Sequence, residues 1–293
     1  MELDKIITGD SAVVLQSFPP DCIDLTVTSP PYDNLRTYNG FVFDFETIAK
    51  QLFRVTKEGG VVVWVAGDET KNFCESLTSF KQALFFVECG FNLLDTMIYF
   101  KENYAPAYPS LKRYANQFEY MFVFSKGKPK TFNPVQREKV VKNYKDKRSY
   151  FRQKDGSQKL KLITNNRDTK DASNVWSFPT TVTDKKAKGH PAIFPEPLAQ
   201  DHISSWSNEG DVVLDCFCGS GTTPKMAKLL NRHYIGIDTS AEYVALANER
   251  LAQLERGLTL PAPDGGDSAP SQALSTPDMF SAIEHEPTPA PRR

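Results

Sequence analysis

Apolar runs alternate with amphipathic stretches along residues 1–125. The apolar runs predict β-strands at residues 22–27, 61–66, 91–100 and 117–125. Helical periodicity between them predicts helices at residues 45–57, which end before a Gly-Gly pair, and at residues 70–89. Strands that alternate with helices favour a mostly parallel sheet covered on both faces, so the sequence predicts an α/β fold.

The pattern changes after residue 125 and returns near Pro195. Residues 126–175 are lysine-rich with little periodicity, which predicts an inserted module or a set of long loops rather than more sheet. Alternation then resumes, with helices at 195–206, 222–230 and 241–256 and strands at 211–215 and 233–238. Residues 257–293 hold 7 of the 20 prolines, and we expect a disordered tail.

We therefore predict a core domain made of two halves, residues 1–125 and 176–256. Residues 126–175 form a module between these two halves. Residues 257–293 are a separate Pro-rich tail.

Basic residues are concentrated in one part of the chain. Between Lys126 and His190 there are 18 Lys or Arg against 6 Asp or Glu, although the net charge is −1. This asymmetry predicts a polyanionic partner, with a solvated basic loop as the alternative. No apolar run reaches membrane-spanning length and the N-terminus has no apolar signal core, so we expect a cytoplasmic protein without a membrane segment.

The cysteines do not indicate a metal or a disulfide framework. The chain has 5 cysteines, an odd number, and no C-x-x-C pair. Cys216 and Cys218 form a C-x-C without a matching ligand pair nearby, so we expect them to line a loop and to bind no metal.

A glycine-containing turn, CFCGSGTT, follows the predicted strand that ends at Asp215. Gly219 and Gly221 allow a tight turn and a close approach to a ligand, and we expect Thr222 or Thr223 to cap the helix that follows. The next strand ends in Asp238, which lies 19 residues beyond Gly219, about the offset of an acid that hydrogen-bonds ribose hydroxyls. This order predicts a nucleotide-binding unit, with a turn that binds no ligand as the alternative.

The glycine spacing indicates which kind of nucleotide binds. Dinucleotide sites have G-x-G-x-x-G, whereas this turn reads F-x-G-x-G with Phe217 first and Pro224 in place of the third glycine. A ligand that contains adenosine but no phosphate therefore fits better. Only one helix follows this unit, so the other strands of the sheet must come from residues 1–125, and the half that normally begins such a domain comes last.

A second motif, Thr28-Ser29-Pro30-Pro31-Tyr32, follows the first predicted strand. The prolines fix an extended backbone and remove two N–H donors, which leaves the Ser29 hydroxyl and the Pro30 carbonyl as acceptors. These acceptors could bind both hydrogens of an exocyclic amine and localise its lone pair for in-line attack on a sulfonium methyl group. Tyr32 could stack on a base that has left the duplex. The alternative is a rigid turn in which Ser29 caps a neighbouring group.

TSPPY followed late in the chain by DCFCGSGTT resembles the bacterial amino-directed DNA methyltransferases of the β permuted class, over roughly residues 3–255. The resemblance implies a seven-stranded Rossmann-like methyltransferase sheet in permuted order, with S-adenosyl-L-methionine as cofactor. It implies that residues 1–125 are the catalytic half, residues 126–175 the target-recognition region and residues 176–256 the cofactor-binding half. It implies catalytic roles for Ser29, Pro30, Pro31 and Tyr32. The implied cofactor-binding residues are Asp10, Thr28, His190, Pro191, Asp215, Phe217, Gly219, Ser220, Gly221, Thr222, Thr223 and Asp238. Cys216 departs from the family, which often has proline there.

Double-stranded DNA is the partner that the resemblance implies. The residues we expect to contact it are Arg36, Lys142, Lys145, Lys147, Arg148, Arg152, Lys154 and Arg167. Serine at the first position of the S-P-P-Y block resembles the N4-cytosine enzymes and aspartate resembles the N6-adenine enzymes. We therefore expect methylation of cytosine N4, with adenine N6 as the alternative. No cysteine follows a proline, which argues against cytosine C5 chemistry.

The sequence is also compatible with other activities. A non-catalytic nucleic-acid-binding protein would keep the basic region, and an enzyme that methylates RNA or protein would keep an amine-binding loop. We expect a bacterial, nucleoid-associated enzyme. The sequence leaves open whether it has a cognate restriction endonuclease and whether it is a monomer or a homodimer.

Overall fold

A central β-sheet organises the chain. The computed structural model describes residues 1–31, 43–104, 112–138, 147–163, 168–180 and 195–255. The strands are β1 (Lys5–Thr8), β2 (Ile23–Thr28), β3 (Thr56–Ala66), β4 (Thr70–Lys71), β5 (Cys74–Glu75), β6 (Asn92–Lys101), β7 (Phe118–Ser125), β8 (Gln136–Glu138), β9 (Lys147–Arg152), β10 (Gln158–Ile163), β11 (Thr169–Asp171), β12 (Val175–Phe178), β13 (Val212–Asp215) and β14 (His233–Asp238). The helices are α1 (Ser11–Val14), α2 (Phe45–Val55), α3 (Thr78–Glu88), α4 (Glu196–Trp206), α5 (Thr222–Leu229) and α6 (Ala241–Glu255).

Within the described residues the sheet has eight strands, in the order β1-β14-β13-β2-β3-β7-β6-β12. Neighbours from β1 to β3 are parallel, β7 is antiparallel to β3 and β6, and β12 is parallel to β6. Every strand except β7 therefore ends at the same edge, which we call the carboxyl edge. The predicted α/β class and the mostly parallel sheet are confirmed, and β12 adds an eighth strand to the expected seven.

Helices cover both faces of this sheet. The α2 side chains Ile48 and Leu52 pack with Phe86 of α3 on one face, and Leu198 of α4 packs with Met226 of α5 on the other. Strand β2 is buried along its whole length, as expected of a central strand covered on both faces, although it carries the polar residues Asp24, Thr26 and Thr28. In the described part of the chain, no helix is both long and apolar enough to cross a bilayer.

The predicted helix at residues 70–89 is wrong over its first part. A hairpin of β4 and β5 occupies residues 70–75, and α3 begins only at Thr78. Asn72 and Phe73 have φ angles of 52° and 62°, the left-handed backbone that a two-residue hairpin turn requires and that an α-helix excludes. The helical spacing of apolar residues therefore extends further along the chain than the helix itself.

The inserted region contains more strand structure than predicted. Strand β8 pairs with β11, and β9 pairs with β10, both antiparallel and both outside the central sheet. Val175–Phe178 then joins the sheet edge as β12, beside β6. The predicted division of the chain into segments stays a prediction, and the predicted tail at 257–293 lies outside the described residues.

The described residues that lead into β8 follow α4 in the reverse direction. Thr131 Oγ1 accepts a hydrogen bond from Asn208 Nδ2 at 2.9 Å, beyond the end of α4. The Asn133 N–H then donates to the Ser205 carbonyl at 2.8 Å, near the last turn of the helix. Arg137 in β8 forms an ion pair with Asp201, closer to the helix start. The first described residues of the basic region are therefore held along α4 by these contacts.

A buried carboxylate joins the strands at the opposite edge. Asp24 of β2 is 1% exposed and accepts hydrogen bonds from Lys57 Nζ at 2.7 Å, from Lys130 Nζ and from the Val212 N–H at 2.9 Å. Burial alone would raise the pKa of Asp24, but these hydrogen bonds outweigh burial and hold the pKa below its ordinary value. The carboxylate thus ties β2 to β3, to β13 and to the start of the basic region.

We predict that Asp24→Asn lowers the free energy of unfolding at pH 7 by about 3 kcal/mol, because two ammonium groups lose their buried anion. Because the pKa of Asp24 is lowered in the folded state, its contribution is full above the ordinary value of about 4 and is lost as the pH falls through the lower, folded-state pKa. Urea unfolding should therefore show the largest difference from wild type at neutral pH and a smaller one in acid.

Asp21→Asn is the matched control. Asp21 forms an ion pair with Lys126 at 2.7 Å, but its side chain is 59% exposed, so we expect a loss below about 1 kcal/mol. Equal losses in the two variants would contradict the structural role of Asp24.

Candidate active site

The two sequence motifs meet at the carboxyl edge of adjacent strands. Thr28 ends β2 and Asp215 ends β13, and these strands are parallel neighbours. The Thr28 hydroxyl donates a hydrogen bond to Asp215 Oδ1 at 2.6 Å, and both side chains are buried. The segment that begins at Ser29 and the glycine turn that follows Asp215 are thereby held side by side.

The Asp215 carboxylate also shapes the turn that follows it. The Phe217 N–H donates to Asp215 Oδ1 at 3.1 Å. Burial raises the pKa of Asp215 to about 6, and nearby Asp238 adds to the rise, although hydrogen bonds from Thr28, Phe217 and Thr223 oppose it. Above that pH the ionised group accepts the hydroxyl and amide hydrogens that fix the start of the turn.

The glycine turn has the backbone that its sequence predicts. Gly219 and Gly221 have φ angles of 46° and 78°, in the left-handed region. A Cβ at Gly221 would lie 2.7 Å from Cβ of Ala247, so α6 can approach only because this residue is glycine. The turn therefore stays narrow and leaves its backbone N–H groups near the carboxyl edge.

The predicted threonine cap of the following helix is wrong. Gly221 is the N-cap of α5, and no side chain makes a cap hydrogen bond there. Thr222 is instead the first helical residue, and the Thr223 hydroxyl donates to the Val27 carbonyl at 3.2 Å. Thr223 thus fixes α5 to β2, because its side chain lies over this strand rather than at the helix end.

Asp238 lies at the end of β14 and faces the same turn. Its Oδ2 accepts from the Gly219 N–H at 2.9 Å and its Oδ1 accepts from the Ser240 N–H at 2.9 Å. On the neighbouring strand, the Gly9 N–H donates to the Asp238 carbonyl at 2.9 Å. The acid predicted to bind ribose is therefore positioned against the glycine turn by backbone hydrogen bonds.

Asp10 and Phe217 complete the group of predicted cofactor residues that the structure brings together. Asp10 caps α1 by accepting from the Ala12 N–H at 2.8 Å, and the adjacent Ser11 hydroxyl donates to the Cys216 carbonyl. The Phe217 ring packs edge-on against Phe43, with centroids 5.5 Å apart. The ends of β1, β13 and β14 thus surround one turn.

A buried ion network behind this turn was missed by the sequence analysis. Glu196 Oε1 accepts from Lys225 Nζ at 2.6 Å and from Arg250 Nη2 at 2.9 Å. Arg250 also donates to the Ser220 carbonyl. Lys225 and Arg250 are 5% and 3% exposed. Lys225 and Arg250 lie 29 and 54 residues from Glu196 in the chain, so no local sequence pattern links the three residues.

The structure describes the predicted catalytic segment only in part. Beyond the end of β2, Ser29 and Pro31 are partly exposed and Pro30 is buried. The predicted site residues that lie outside the described residues are Tyr32, Arg36, Lys142, Lys145, Arg167, His190 and Pro191. Lys147 and Arg148 lie in β9, and the structure describes only their backbone, whereas Arg152 and Lys154 are exposed.

The cysteines of the turn have unreactive surroundings. Burial raises the pKa of the Cys216 and Cys218 thiols well above the ordinary value, and Asp215 adds to the rise. Among the described residues, no group of three or more His, Cys, Asp or Glu side chains is arranged to hold a metal ion. These two thiols therefore act as small apolar groups against the surrounding strands.

Comparison with known proteins now gives the family. Residues 23–249 match the family described as DNA methylase. This chain belongs to that family. The orphan methyltransferase M.BamHII of Bacillus amyloliquefaciens is 54% identical over 240 residues, which cover 79% of this chain and 89% of that protein. The predictions of an enzyme of the methyltransferase class and of DNA as its substrate are confirmed.

Solved structures share the fold. A DNA modification methylase of Thermus thermophilus, solved with S-adenosyl-L-methionine, is 25% identical with a TM-score of 0.57, over 85% of this chain and 93% of that chain. The cytosine-N4-specific PvuII DNA methyltransferase is 21% identical with a TM-score of 0.60, over 84% of this chain and 85% of that chain. The expected methyltransferase sheet is confirmed, and so is S-adenosyl-L-methionine as the cofactor of this DNA methylase.

We predict that Asp238→Ala weakens S-adenosyl-L-methionine binding by about 1–3 kcal/mol, because the ribose hydroxyls lose an acceptor and the Gly219 N–H loses its partner. Titration calorimetry measures the change. Glu242→Ala, an exposed acid in the first turn of α6, is the control and should bind normally. Undiminished affinity in Asp238→Ala would remove this residue from the cofactor site.

Proposed function

We propose that this enzyme transfers a methyl group from S-adenosyl-L-methionine to the exocyclic N4 of a cytosine flipped out of double-stranded DNA. The observation that carries the proposal is the hydrogen bond between Thr28 and Asp215. It supports a site in which Ser29 and Pro30 present their acceptors directly beside the glycine turn. The narrow turn around Gly221 and the carboxylate of Asp238 fit an adenosine-containing cofactor.

In the proposed mechanism, Ser29 and Pro30 bind the amine that is to be methylated. The Ser29 hydroxyl oxygen and the Pro30 carbonyl each accept one N–H hydrogen, so the nitrogen becomes more tetrahedral and its lone pair is less delocalised into the ring. The bound cofactor supplies an electrophilic methyl group on a sulfonium. Because the two prolines fix the backbone, the acceptors are positioned before the base arrives and need no reorganisation.

Cytosine is proposed over adenine because of Ser29. A hydroxyl is a short, neutral acceptor, whereas the N6-adenine enzymes of this class more often have an acidic or amide side chain at that position. The alternative is that the same site methylates N6 of adenine. The identity of the methylated nucleoside distinguishes the two. Tyr32 is proposed to stack on the flipped base, and this role stays a prediction.

We expect Ser29→Ala to lower the turnover number by about a hundredfold, because an acceptor is lost that acts mainly in the transition state. Cofactor affinity, measured by calorimetry, should stay near wild type. Ser17→Ala, which removes an exposed hydroxyl after α1, is the control and should leave turnover unchanged.

Digestion of the methylated DNA to nucleosides, followed by mass detection, identifies the base. N4-methylcytosine is the expected product. N6-methyladenine alone would overturn the choice of cytosine but keep the site, and the absence of both products over varied DNA sequences would overturn the proposed reaction.

The β9–β10 hairpin is proposed as a DNA-contacting part of the target-recognition region. Tyr150 is 68% exposed and Phe151 is 45% exposed, and Arg152, Lys154 and Lys159 are exposed beside them. A two-stranded ribbon fits the major groove, and basic side chains on it can contact phosphates. The proposal therefore assigns Arg152 and Lys154 to backbone contacts.

DNA affinity should fall steeply with salt, and Arg152→Ala and Lys154→Ala should each reduce the log–log slope by about 0.9. Fluorescence anisotropy at several salt concentrations measures the slope. Lys5→Ala removes an exposed lysine of β1 that pairs with Glu2, and its slope should match wild type. Unchanged slopes in the two hairpin variants would remove the hairpin from the DNA interface.

The proposal also bears on partners and location. The relative M.BamHII is named an orphan methyltransferase, which favours action without a paired restriction endonuclease. Since the substrate is DNA and the relatives are bacterial, the proposed place of action is the cytoplasm, at the nucleoid.

A further inference from the structure

The β4–β5 hairpin carries an exposed aromatic side chain at the edge where the catalytic segment lies. Strand β3 pairs with β2, with Trp64 opposite Thr28, and ends at Ala66. The hairpin begins only four residues later, at Thr70, and Phe73 stands in its two-residue turn. Phe73 is 77% exposed. An apolar ring is therefore presented to solvent beyond the carboxyl end of β3, the strand that pairs with β2.

Turn geometry does not explain a phenylalanine at this position. Both turn residues, Asn72 and Phe73, have positive φ angles, 52° and 62°. Turns of this kind favour asparagine followed by glycine, because a bulky side chain is disfavoured in left-handed backbone. Core packing does not explain it either, since three-quarters of the residue surface is open to solvent. Strained residues that the surrounding structure holds in place cluster at functional sites.

The base of the hairpin is fixed firmly enough to hold such a turn. The Asp68 carboxylate accepts from the Ser76 hydroxyl at 3.1 Å and from the Ser79 N–H at 2.9 Å. The Ser76 N–H donates to the Glu69 carbonyl at 2.9 Å, and Lys81 Nζ donates to the Ser76 carbonyl at 3.0 Å. The hairpin is thus anchored to the first turn of α3, and its tip is presented on a rigid base.

Charge at the hairpin is compatible with DNA at its tip. Lys71 is exposed next to the turn and pairs with Cys74 across the hairpin. Glu69 precedes β4 and Glu75 ends β5, so both acidic residues lie at the base of the hairpin, farther from the turn than Lys71. A phosphate would therefore meet the lysine before it meets either carboxylate.

We propose that Phe73 is a wedge that enters the DNA base stack and occupies the space from which the target base has flipped. The proposal rests on the proposed function, because it assigns Phe73 to the flipping step of that reaction. An apolar ring can replace the stacking that the flipped base gives up, so the flipped state becomes less costly. Phe73 then acts on base extrusion and not on cofactor binding or methyl transfer.

The test compares two duplexes that contain the sequence methylated by the wild-type enzyme, which is first mapped on genomic DNA. In one duplex the target base is paired, and in the other an abasic site lies opposite it. Phe73→Ala should lower the methylation rate on the paired duplex by about tenfold or more, but by only about twofold where the target is already unpaired. Cofactor affinity by calorimetry should equal wild type.

Phe73→Gly separates this role from a structural one. Glycine suits the positive φ angle, so this variant should melt at the wild-type temperature or above it and still show the same methylation defect on the paired duplex. Leu84→Ala, which removes an exposed side chain on α3, and Tyr114→Ala, which removes a 95% exposed ring between β6 and β7, are the controls, and neither should show a defect that the abasic site rescues.

Each outcome decides the proposal. Wild-type rates in Phe73→Ala, equal losses on the two duplexes, or a rescued defect in Tyr114→Ala but not in Phe73→Ala would overturn it while the methyltransferase function stands. Failure of the wild-type enzyme to methylate any DNA would instead overturn the proposed function, and the wedge with it. N6-methyladenine as the product would leave the wedge intact.

Discussion

One buried hydrogen bond, from the Thr28 hydroxyl to the Asp215 carboxylate, joins segments that lie 187 residues apart in the chain. Burial raises the pKa of Asp215 to about 6, so its charge lowers the stability of the folded state at pH 7 by about 3 kcal/mol relative to an unshifted acid. The effect is destabilising because the carboxyl is harder to ionise in the folded protein than in the unfolded chain, where it loses its proton at a lower pH. A group that costs stability at neutral pH is best explained by the site that it positions, here the glycine turn beside Ser29.

The ion network of Glu196, Lys225 and Arg250 gives this turn a rigid support. It links the first residue of α4 to α5 and α6, and Arg250 reaches the Ser220 carbonyl. Buried ion pairs of this kind add little net stability, but removal of one partner leaves an uncompensated charge. Their value lies in fixed geometry, because each helix that borders the turn is held to the others by directional contacts.

The sequence predicted the parts of this fold that depend on short stretches of chain. The unit from β13 to β14 was predicted because strand, turn and acid follow each other locally, whereas the catalytic role of the T-S-P-P-Y segment stays a prediction. Strand β1 was missed because four residues carry too little pattern, and residues 70–75 were assigned to a helix because their turn depends on two φ angles. Glu196 was missed because its partners are brought to it by the sheet and not by the sequence.

The path of the basic region follows from contacts that no local pattern contains. Strand β7 runs opposite to its neighbours, so residue 125 ends at the edge away from the site, where Lys130 contacts Asp24. From there the chain contacts Asn208, then Ser205 and then Asp201. It therefore runs along α4 from the end of the helix toward Glu196 and the glycine turn. Because α4 also supports the glycine turn through Glu196, the same helix fixes both the start of the basic region and the turn. The basic region leaves the sheet at the edge opposite the carboxyl edge, and its described start runs along α4 back toward the carboxyl edge. Because Glu196 of α4 contacts both Lys225 and Arg250, a shift of this helix would also disturb the glycine turn.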